Sequence, residues 1–147
     1  MRKAEQKVWD GMKRAAKRHA PYMWLQRVEN LVGDGMPDVY TCDKRLTTGG
    51  LKKSFCWVEL KAANLPKRST TKLKMSEGVR TSQVNWHMKA QTKGLDTFIL
   101  LRVEEAMKEP LLIDGSLAGE VNSFTFDQAK TNAVAVGWEA IFRRLSA

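Results

Sequence analysis

The segment FCWVELKAA (residues 55–63) constrains the fold more than any other, because it places two charges inside an apolar run. Its composition predicts a strand, in which successive side chains point to opposite faces of a sheet. Val58 and Leu60 then face the core, while Glu59 and Lys61 share the other face. Removing a carboxylate and an ammonium from water is costly unless each finds a partner. The strand therefore predicts either an ion pair on a solvated edge or a site that supplies partners for both charges.

A second carboxylate stands about twenty residues upstream, in the segment GDGMPDVY. Asp38 follows Pro37, whose fixed φ and missing N–H are typical of the entry to a strand. Asp38 and Glu59 can then converge from neighbouring strands. Such a carboxylate pair suits Mg²⁺ or Mn²⁺, which keep several waters and take further oxygens from a phosphate. Lys61 beside them would lower the pKa of a metal-bound water, orient that water, or neutralise charge gathering on phosphorus.

The remaining hydrophobic patterns predict helices and strands along the rest of the chain. The 147 residues, 43% of them apolar, suffice for one core, so we expect a single α/β domain with a mixed central β-sheet flanked by helices. Helices are predicted over residues 2–18, 81–94 and 132–145, strands over 22–30, 33–43, 55–63, 97–103 and 110–114, a loop or hairpin tip over 44–54, and a long polar loop over 64–80.

Positive charge predicts a polyanionic partner. The chain carries 25 lysines and arginines against 16 acidic residues, and residues 44–80 hold ten of these basic residues but two acidic ones. DNA is the expected partner, bound through its backbone, because lysine and arginine contacts to phosphate release counterions without reading sequence. The alternative is a solvated basic loop. The predicted DNA-binding residues are Lys67, Arg68, Lys72, Lys74, Arg80 and Ser82.

Other classes of protein are disfavoured by the sequence. No apolar run approaches the ~18 residues of a membrane span, and the basic N-terminus lacks an apolar signal core, so we expect a cytoplasmic protein, in the host cytoplasm if phage-encoded. Cys42 and Cys56 have no partner pattern for a disulfide framework or a zinc site, and His19 and His87 are too far apart to suggest a ligand pair. The tryptophans are predicted to be core residues rather than base-stacking platforms: Trp9, Trp24, Trp57, Trp86 and Trp138.

Three segments together, GDGMPDVY, WVELKAA and TSQVNWHMKAQTKG, resemble the PD-(D/E)XK nuclease superfamily and, within it, the stand-alone phage and bacterial proteins of the VRR-NUC branch. The pattern of that branch is glycine, any residue, proline and aspartate, then ExK, then a serine-x-x-glutamine helix start, an aromatic residue and a closing glycine. In this chain the serine adjoins Gln83 instead of preceding it by three positions. The resemblance covers residues 5–103, so we expect a nuclease core over about 1–103 and a C-terminal extension over 104–147.

The resemblance implies a restriction-endonuclease-like fold and assigns roles to particular residues. Asp38 and Glu59 would be metal ligands, with the backbone carbonyl of Leu60 completing the shell. Lys61 would be the catalytic lysine. Gln83 would be a polar helper near the attacking water or the scissile phosphate. The family also tends to place a glutamate on its first helix, where Glu5 is the candidate and Glu29, on the first predicted strand, is its rival.

The implied activity is that of a Mg²⁺-dependent endodeoxyribonuclease in which Mn²⁺ substitutes. Branched DNA, in particular the Holliday junction, is the expected substrate, and a homodimer would match the two-fold symmetry of the junction. The alternatives are a nuclease of flaps, nicks or duplex ends, a non-catalytic DNA-binding protein with the nuclease fold, and a purely structural basic protein. Either dimerisation or core packing is expected of Val134, Val136, Trp138, Ile141 and Phe142.

Overall fold

The structure is a computed structural model that describes residues 3–28, 35–47, 50–104 and 109–147, with the backbone alone described over 44–47 and 50–54. Within these ranges seven strands form one sheet. The strands are β1 (Met23–Arg27), β2 (Val39–Thr47), β3 (Gly50–Asn64), β4 (Lys74–Met75), β5 (Asp96–Glu104), β6 (Leu111–Asp114) and β7 (Ala133–Val136), and the helices are α1 (Lys3–His19), α2 (Thr81–Thr92), α3 (Phe126–Asn132) and α4 (Trp138–Leu145).

The sheet is mixed, with the order β1-β2-β3-β5-β6-β7 and with β4 paired to the end of β3. Its one parallel pair within the described residues is β3 with β5, and α2 makes the connection between these two strands. Parallel neighbours need such a crossover, whereas the antiparallel pairs on either side are joined by shorter connections. The mixed central sheet that the sequence predicts is therefore present.

Both faces of the central strands are buried. Helices α1 and α4 pack on one face, where Val58, Leu60 and Leu100 contribute to the core. Helices α2 and α3, with two short 3₁₀ turns at Gly115–Leu117 and Val121–Ser123, lie over the opposite face around Ile99. The central residues of β5, Phe98 to Leu101, are all apolar because neither face of the strand meets water there.

Most of the predicted elements are confirmed, and the differences have physical causes. The sequence predicts helices close to the observed α1 and α2, and strands close to the observed β1, β3, β5 and β6. Residues 44–47 and 50–54 belong to the β2–β3 hairpin, in which pairing continues to Thr47 opposite Gly50, so over these residues the alternative of an open loop is wrong. The short elements α3 and β4 were not predicted, because each has too few residues to show a period.

The prediction of one helix over 132–145 is wrong. Ala133–Val136 form the edge strand β7, and α4 begins at Trp138. Gly137 lies between them with φ +87°, a backbone conformation that favours glycine and interrupts a helix. Val134 and Val136 are exposed on the edge strand. Ile141 and Phe142 of the predicted interface are fully buried, so core packing, the other expectation for them, is what the structure contains.

Two further predictions concern the burial of Trp24 and the absence of membrane-spanning segments. Trp24 is 55% exposed, so its prediction as a core residue is wrong. Apolar residues are often found at the surface, because a protein has too little polar area to cover itself. Among the described helices, none is both long and apolar enough to cross a membrane.

His87 introduces a buried polar group beneath α2. Its side chain is fully buried, and neither ring nitrogen has a hydrogen-bond partner among the described residues. Burial lowers the pKa of His87 to about 4, although the charge of Asp114 opposes that change. Gly115 is packed so closely that an added Cβ would lie 2.8 Å from His87 Nδ1. Burial therefore favours the neutral imidazole in a tightly packed site.

This burial predicts a pH-dependent stability. Between pH 6.5 and about 4 the unfolded chain binds a proton at His87 that the folded chain does not, so stability falls as the pH drops through this window. The loss is on the order of 3 kcal/mol. Urea unfolding of the wild type and of His87→Phe across this range measures it. The free energy of unfolding of the variant should depend less on pH in this window than that of the wild type. An identical pH dependence for the two proteins would contradict the prediction.

Candidate metal and catalytic site

The candidate site lies at the start of β2, along the part of β3 between its pairing with β2 and its pairing with β4. Pairing between β2 and β3 stops at Val39 opposite Val58, and Asp38 immediately precedes β2. The Asp38 carboxylate then takes the place of a strand neighbour, since its Oδ2 accepts a hydrogen bond of 2.9 Å from the backbone N–H of Leu60. This contact fixes Asp38 beside Glu59.

The turn before Asp38 is held against the start of α2. Gly35 has φ +82°, and a Cβ added to it would lie 2.1 Å from the backbone oxygen of Ser82. No side chain fits there, so the glycine of the GDGMPD segment is required by a close approach of two backbones. Ser82, predicted to bind DNA, is half-buried at this contact.

Asp38 and Glu59 form a coupled carboxyl pair. Their side chains share a hydrogen bond, and Glu59 is 1% exposed with its Oε1 lacking a hydrogen-bond partner among the described residues. Burial, followed by the hydrogen bond and the negative charge of Asp38, raises the pKa of Glu59 well above its ordinary value. Burial also acts to raise the pKa of Asp38, but hydrogen bonds from Glu59 and Leu60 lower it on balance. Of the two carboxyl groups, Glu59 therefore has the higher pKa.

Arg27, at the end of β1, also holds Asp38 and was not predicted from the sequence. Its Nη1 lies 3.3 Å from Asp38 Oδ1 and donates a hydrogen bond of 3.0 Å to the Asp38 carbonyl oxygen. The β1–β2 register places Arg27 opposite Val39, next to the carboxylate. A basic residue at a strand end is common, so this role emerges only once the strand register is known.

Lys61 is held at two points inside the protein. It is 1% exposed, and its Nζ donates a hydrogen bond of 3.4 Å to the carbonyl oxygen of Gly78. The same nitrogen lies 3.9 Å from Oε1 of Glu5, which α1 carries into this buried region. Burial raises the pKa of Glu5, with the charge of Lys61 opposing the change. The structure thus brings Glu5 to Lys61, whereas its rival Glu29 lies outside the described residues.

Gln83 is buried and has a structural contact. Its Oε1 accepts a hydrogen bond of 2.9 Å from the backbone N–H of Arg80, which closes the first turn of α2. A side chain at this position satisfies a helix N–H that would otherwise lack a partner. The catalytic role assigned to Gln83 stays a prediction.

Asn122 is a second residue that sequence reasoning missed. It lies in the 3₁₀ turn Val121–Ser123, within the C-terminal extension that was predicted over residues 104–147. Its Oδ1 accepts a hydrogen bond of 2.8 Å from Val79 N, and its Nδ2 donates one of 2.8 Å to Val79 O. Asn122 thereby fastens the loop that presents the Gly78 carbonyl to Lys61. A single asparagine 43 positions away gives no sequence signal of such a contact.

The predicted DNA-binding residues lie along the loop that connects β3 to α2, both of which contribute to the site. Apart from half-buried Ser82, their side chains are exposed: Lys67, Arg68, Lys72, Lys74 and Arg80. Because these side chains are exposed, they could contact a phosphate backbone without a change in the fold. Binding of DNA by these residues stays a prediction.

The donor set fits a hard divalent cation. Across the described parts of the chain, no group of three or more histidine, cysteine, aspartate or glutamate side chains is placed to hold a metal. Mg²⁺ and Mn²⁺ do not need such a group, because one or two carboxylates, waters and substrate oxygens complete their shell. The unpartnered Oε1 of Glu59 and the neighbouring carboxylate of Asp38 are the oxygens that would hold such a cation.

A similar solved structure exists, although neither a family model nor a curated protein matches this chain. The structure of Archaeoglobus fulgidus Hjc, a Holliday junction resolvase from an archaeal hyperthermophile, has a TM-score of 0.51 and 12% sequence identity to this chain. The match covers 88% of this chain and 89% of the other. At such low identity the likeness shows the fold, and it confirms the α/β prediction with a restriction-endonuclease-like core.

The raised pKa of Glu59 predicts that this residue lowers the folding stability of the metal-free protein at neutral and alkaline pH. Its pKa is raised in the folded state, so stability falls as the pH rises above the ordinary pKa of a glutamate. Glu59→Gln keeps the shape of the side chain and cannot lose a proton. Calorimetry in chelator should show a higher melting temperature for the variant at pH 8, and a smaller gain at pH 5.

The control for that measurement is Glu120→Gln, which removes an exposed carboxylate that is not among the charges that shift the pKa of Glu59. It should leave the difference between the two pH values unchanged. An equal melting temperature for Glu59→Gln and wild type at both pH values would contradict a raised pKa for Glu59.

Replacing Asn122 should loosen the loop that holds Lys61. Asn122→Ala leaves the N–H and the carbonyl of buried Val79 without partners, which should lower the free energy of unfolding by about 2 kcal/mol. Hydrogen exchange should rise over residues 76–80. Asn85→Ala, at an exposed position of α2, is the matched control. Unchanged exchange in this loop for Asn122→Ala would show that Asn122 does not fasten it.

Proposed function

We propose that this chain is a metal-dependent endodeoxyribonuclease of the PD-(D/E)XK type, with the VRR-NUC pattern of residues, that cuts branched DNA. One observation carries the proposal: Asp38 and Glu59 meet beside the buried ammonium of Lys61, on a restriction-endonuclease-like sheet. Two carboxylates and a lysine in this arrangement are suited to hydrolysis of a phosphodiester. A merely solvated ion pair would be exposed, whereas Glu59 and Lys61 are each 1% exposed.

Asp38 and Glu59 would hold Mg²⁺, with the Leu60 carbonyl as a third protein oxygen and with Mn²⁺ as a substitute. When bound, the metal would supply an activated water and neutralise charge on the scissile phosphate. The chain supplies the geometry. Arg27 contacts Oδ1 and the backbone carbonyl of Asp38, and the Leu60 N–H donates to its Oδ2. These contacts orient the Asp38 carboxylate before a substrate binds.

Lys61 would stabilise the negative charge that develops on the phosphate during hydrolysis. Its ammonium cannot swing away, because Gly78 and Glu5 hold it within the protein. A cation that is already positioned costs no reorganisation when the charge appears, and such preorganised groups contribute strongly to catalysis. Glu5 would keep Lys61 in place, and Gln83 would assist from the start of α2.

Binding of DNA is supported by charge. The chain has a formal net charge of +9, and the exposed basic loop connects β3 to α2, both of which contribute to the site. The β2–β3 hairpin adds four basic positions, with Lys44 opposite Lys53 and Arg45 opposite Lys52. A group of basic positions in one hairpin favours an anionic partner. A DNA backbone is the anion we propose, and action in the cytoplasm belongs to the same proposal.

The Holliday junction is the substrate we propose within branched DNA, because the similar fold of Hjc is that of a Holliday junction resolvase. A homodimer would present two sites related by a two-fold axis, which is the symmetry of the junction. Flaps, nicks and duplex ends are the alternative substrates, and a DNA-binding protein without activity is the alternative class.

Cleavage of labelled DNA with Mg²⁺, Mn²⁺ or chelator tests this function. Wild-type protein should cut four-way junctions only with a metal. Asp38→Asn, Glu59→Gln and Lys61→Met should each lose at least about 100-fold in rate, because each removes a group that stabilises the transition state. These variants should still bind the junction. Lys89→Met, at an exposed lysine of α2, is the matched control and should cut normally.

Three results of the same experiment would contradict parts of the proposal. Wild-type rates in the Asp38 and Glu59 variants would reject the enzyme. Equal cutting of linear duplex and junction would reject selectivity for branched DNA, and preferential cutting of flaps would select the alternative repair nuclease. A monomer mass by light scattering at the assay concentration would reject the two-site model.

A further inference from the structure

Five aromatic side chains form a continuous row across β1, β2, β3 and α2. Tyr40 is the centre of the row, with its ring centroid 5.8 Å from that of Trp24, 5.9 Å from Phe55 and 5.0 Å from Trp57. Trp57 in turn lies 5.7 Å from Trp86 on α2. We call these five residues the aromatic row.

The outer end of the aromatic row is open to solvent. Trp24 is 55% exposed and Phe55 is 45% exposed within the part of the chain that the structure describes. By contrast, Met23 and Leu25, on the other face of β1, pack with the core. Two large exposed rings that touch a common neighbour are unusual for a folded surface and mark an interaction site.

The aromatic row leads directly to the candidate catalytic site. Phe55, Trp57, Glu59 and Lys61 are alternate residues of β3, so they share one face of the sheet. Tyr40 lies directly opposite Trp57, two positions after Asp38. Neighbouring side chains on this face of β3 are about 7 Å apart along the strand. A molecule that lies on the aromatic row is therefore adjacent to the carboxylates.

Charge favours a nucleic acid over a second copy of this chain as the occupant. The chain has a formal net charge of +9, and the loop that follows β3 carries exposed basic side chains, among them Lys67 and Arg68. Two copies of so basic a chain would repel one another where they meet. A polyanion would instead neutralise these charges while its bases meet the rings, and base stacking on aromatic side chains is largely independent of sequence.

We propose that the aromatic row stacks unpaired bases of the DNA strand that enters the Asp38 and Glu59 site. The proposal rests on the nuclease function proposed above and narrows its substrate class to DNA with unpaired nucleotides next to the scissile phosphate. Fully paired duplex keeps its bases inside the helix and cannot use the row. Branched or distorted DNA would then be selected because its unpaired bases can stack on the aromatic row, as well as by the shape of its backbone.

Binding in chelator tests the aromatic row without cleavage. Two labelled probes are compared by fluorescence anisotropy: a short thymidine oligonucleotide, and an abasic strand with the same number of phosphates. Wild-type protein should bind the thymidine strand about 30-fold more tightly, which is the effect of stacking roughly two bases. The abasic strand reports the contribution of phosphate contacts alone.

Paired variants separate stacking from general apolar contact. The double variant Trp24→Leu, Phe55→Leu keeps apolar side chains but removes the rings, and should lose most of the 30-fold ratio while binding the abasic strand as the wild type does. The double variant Trp24→Phe, Phe55→Tyr keeps aromatic rings and should retain most of the ratio. Leu95→Ala, at an exposed apolar position outside the row, should behave as wild type.

Three outcomes would overturn the proposal. These are equal affinity of wild type for the two strands, an unchanged ratio in the leucine double variant, and a change from dimer to monomer mass in that variant, which would assign the row to a second copy. The cleavage assay with Mg²⁺ separates this proposal from the nuclease function. Base-dependent binding without cleavage would support the row and reject the enzyme, and cleavage without base-dependent binding would do the reverse.

Discussion

The hydrogen bond between the Asp38 carboxylate and the Leu60 N–H is the contact on which the candidate site depends. It occupies the point where β3 loses β2 as a neighbour, and it sets the distance between Asp38 and Glu59. Burial disfavours the negative charge of Glu59 and raises its pKa well above the ordinary value, whereas hydrogen bonds and nearby cations lower the pKa of Asp38. Two carboxyl groups whose pKa values are pushed apart in this way are typical of a functional site.

The rest of the structure supports that contact from several directions. Arg27 orients Asp38 from β1, and the close approach of Gly35 to α2 fixes the turn before it. Lys61 is held by the loop that Asn122 fastens from the C-terminal part of the chain. Residues 111–136 therefore do more than extend the sheet, since they determine where the ammonium lies relative to the carboxylates.

The sequence predicted those elements whose residues repeat over several turns or positions. Helix α1 and strand β3 each bury one regular apolar face, and β5 contains a continuous apolar run, so these elements are visible without a structure. Helix α2 instead buries Gln83, His87 and Ala90, so its apolar period is weak. The four residues of β7 satisfied the period of a helix as well as that of a strand. Arg27 and Asn122 could not be found, because their partners depend on strand register and on tertiary packing. The resemblance supplied Asp38, Glu59 and Lys61 as a set, and the structure places their side chains together.

Direct measurement of cation binding tests the central claim that Asp38 and Glu59 form a metal site. Titration of Mn²⁺ into the protein, followed by electron paramagnetic resonance of the free ion, counts bound metal without any DNA. The account predicts saturable binding by wild type, a large loss of affinity in Asp38→Asn and in Glu59→Gln, and normal binding in the Glu120→Gln control. Equal Mn²⁺ binding by wild type and both site variants would contradict it.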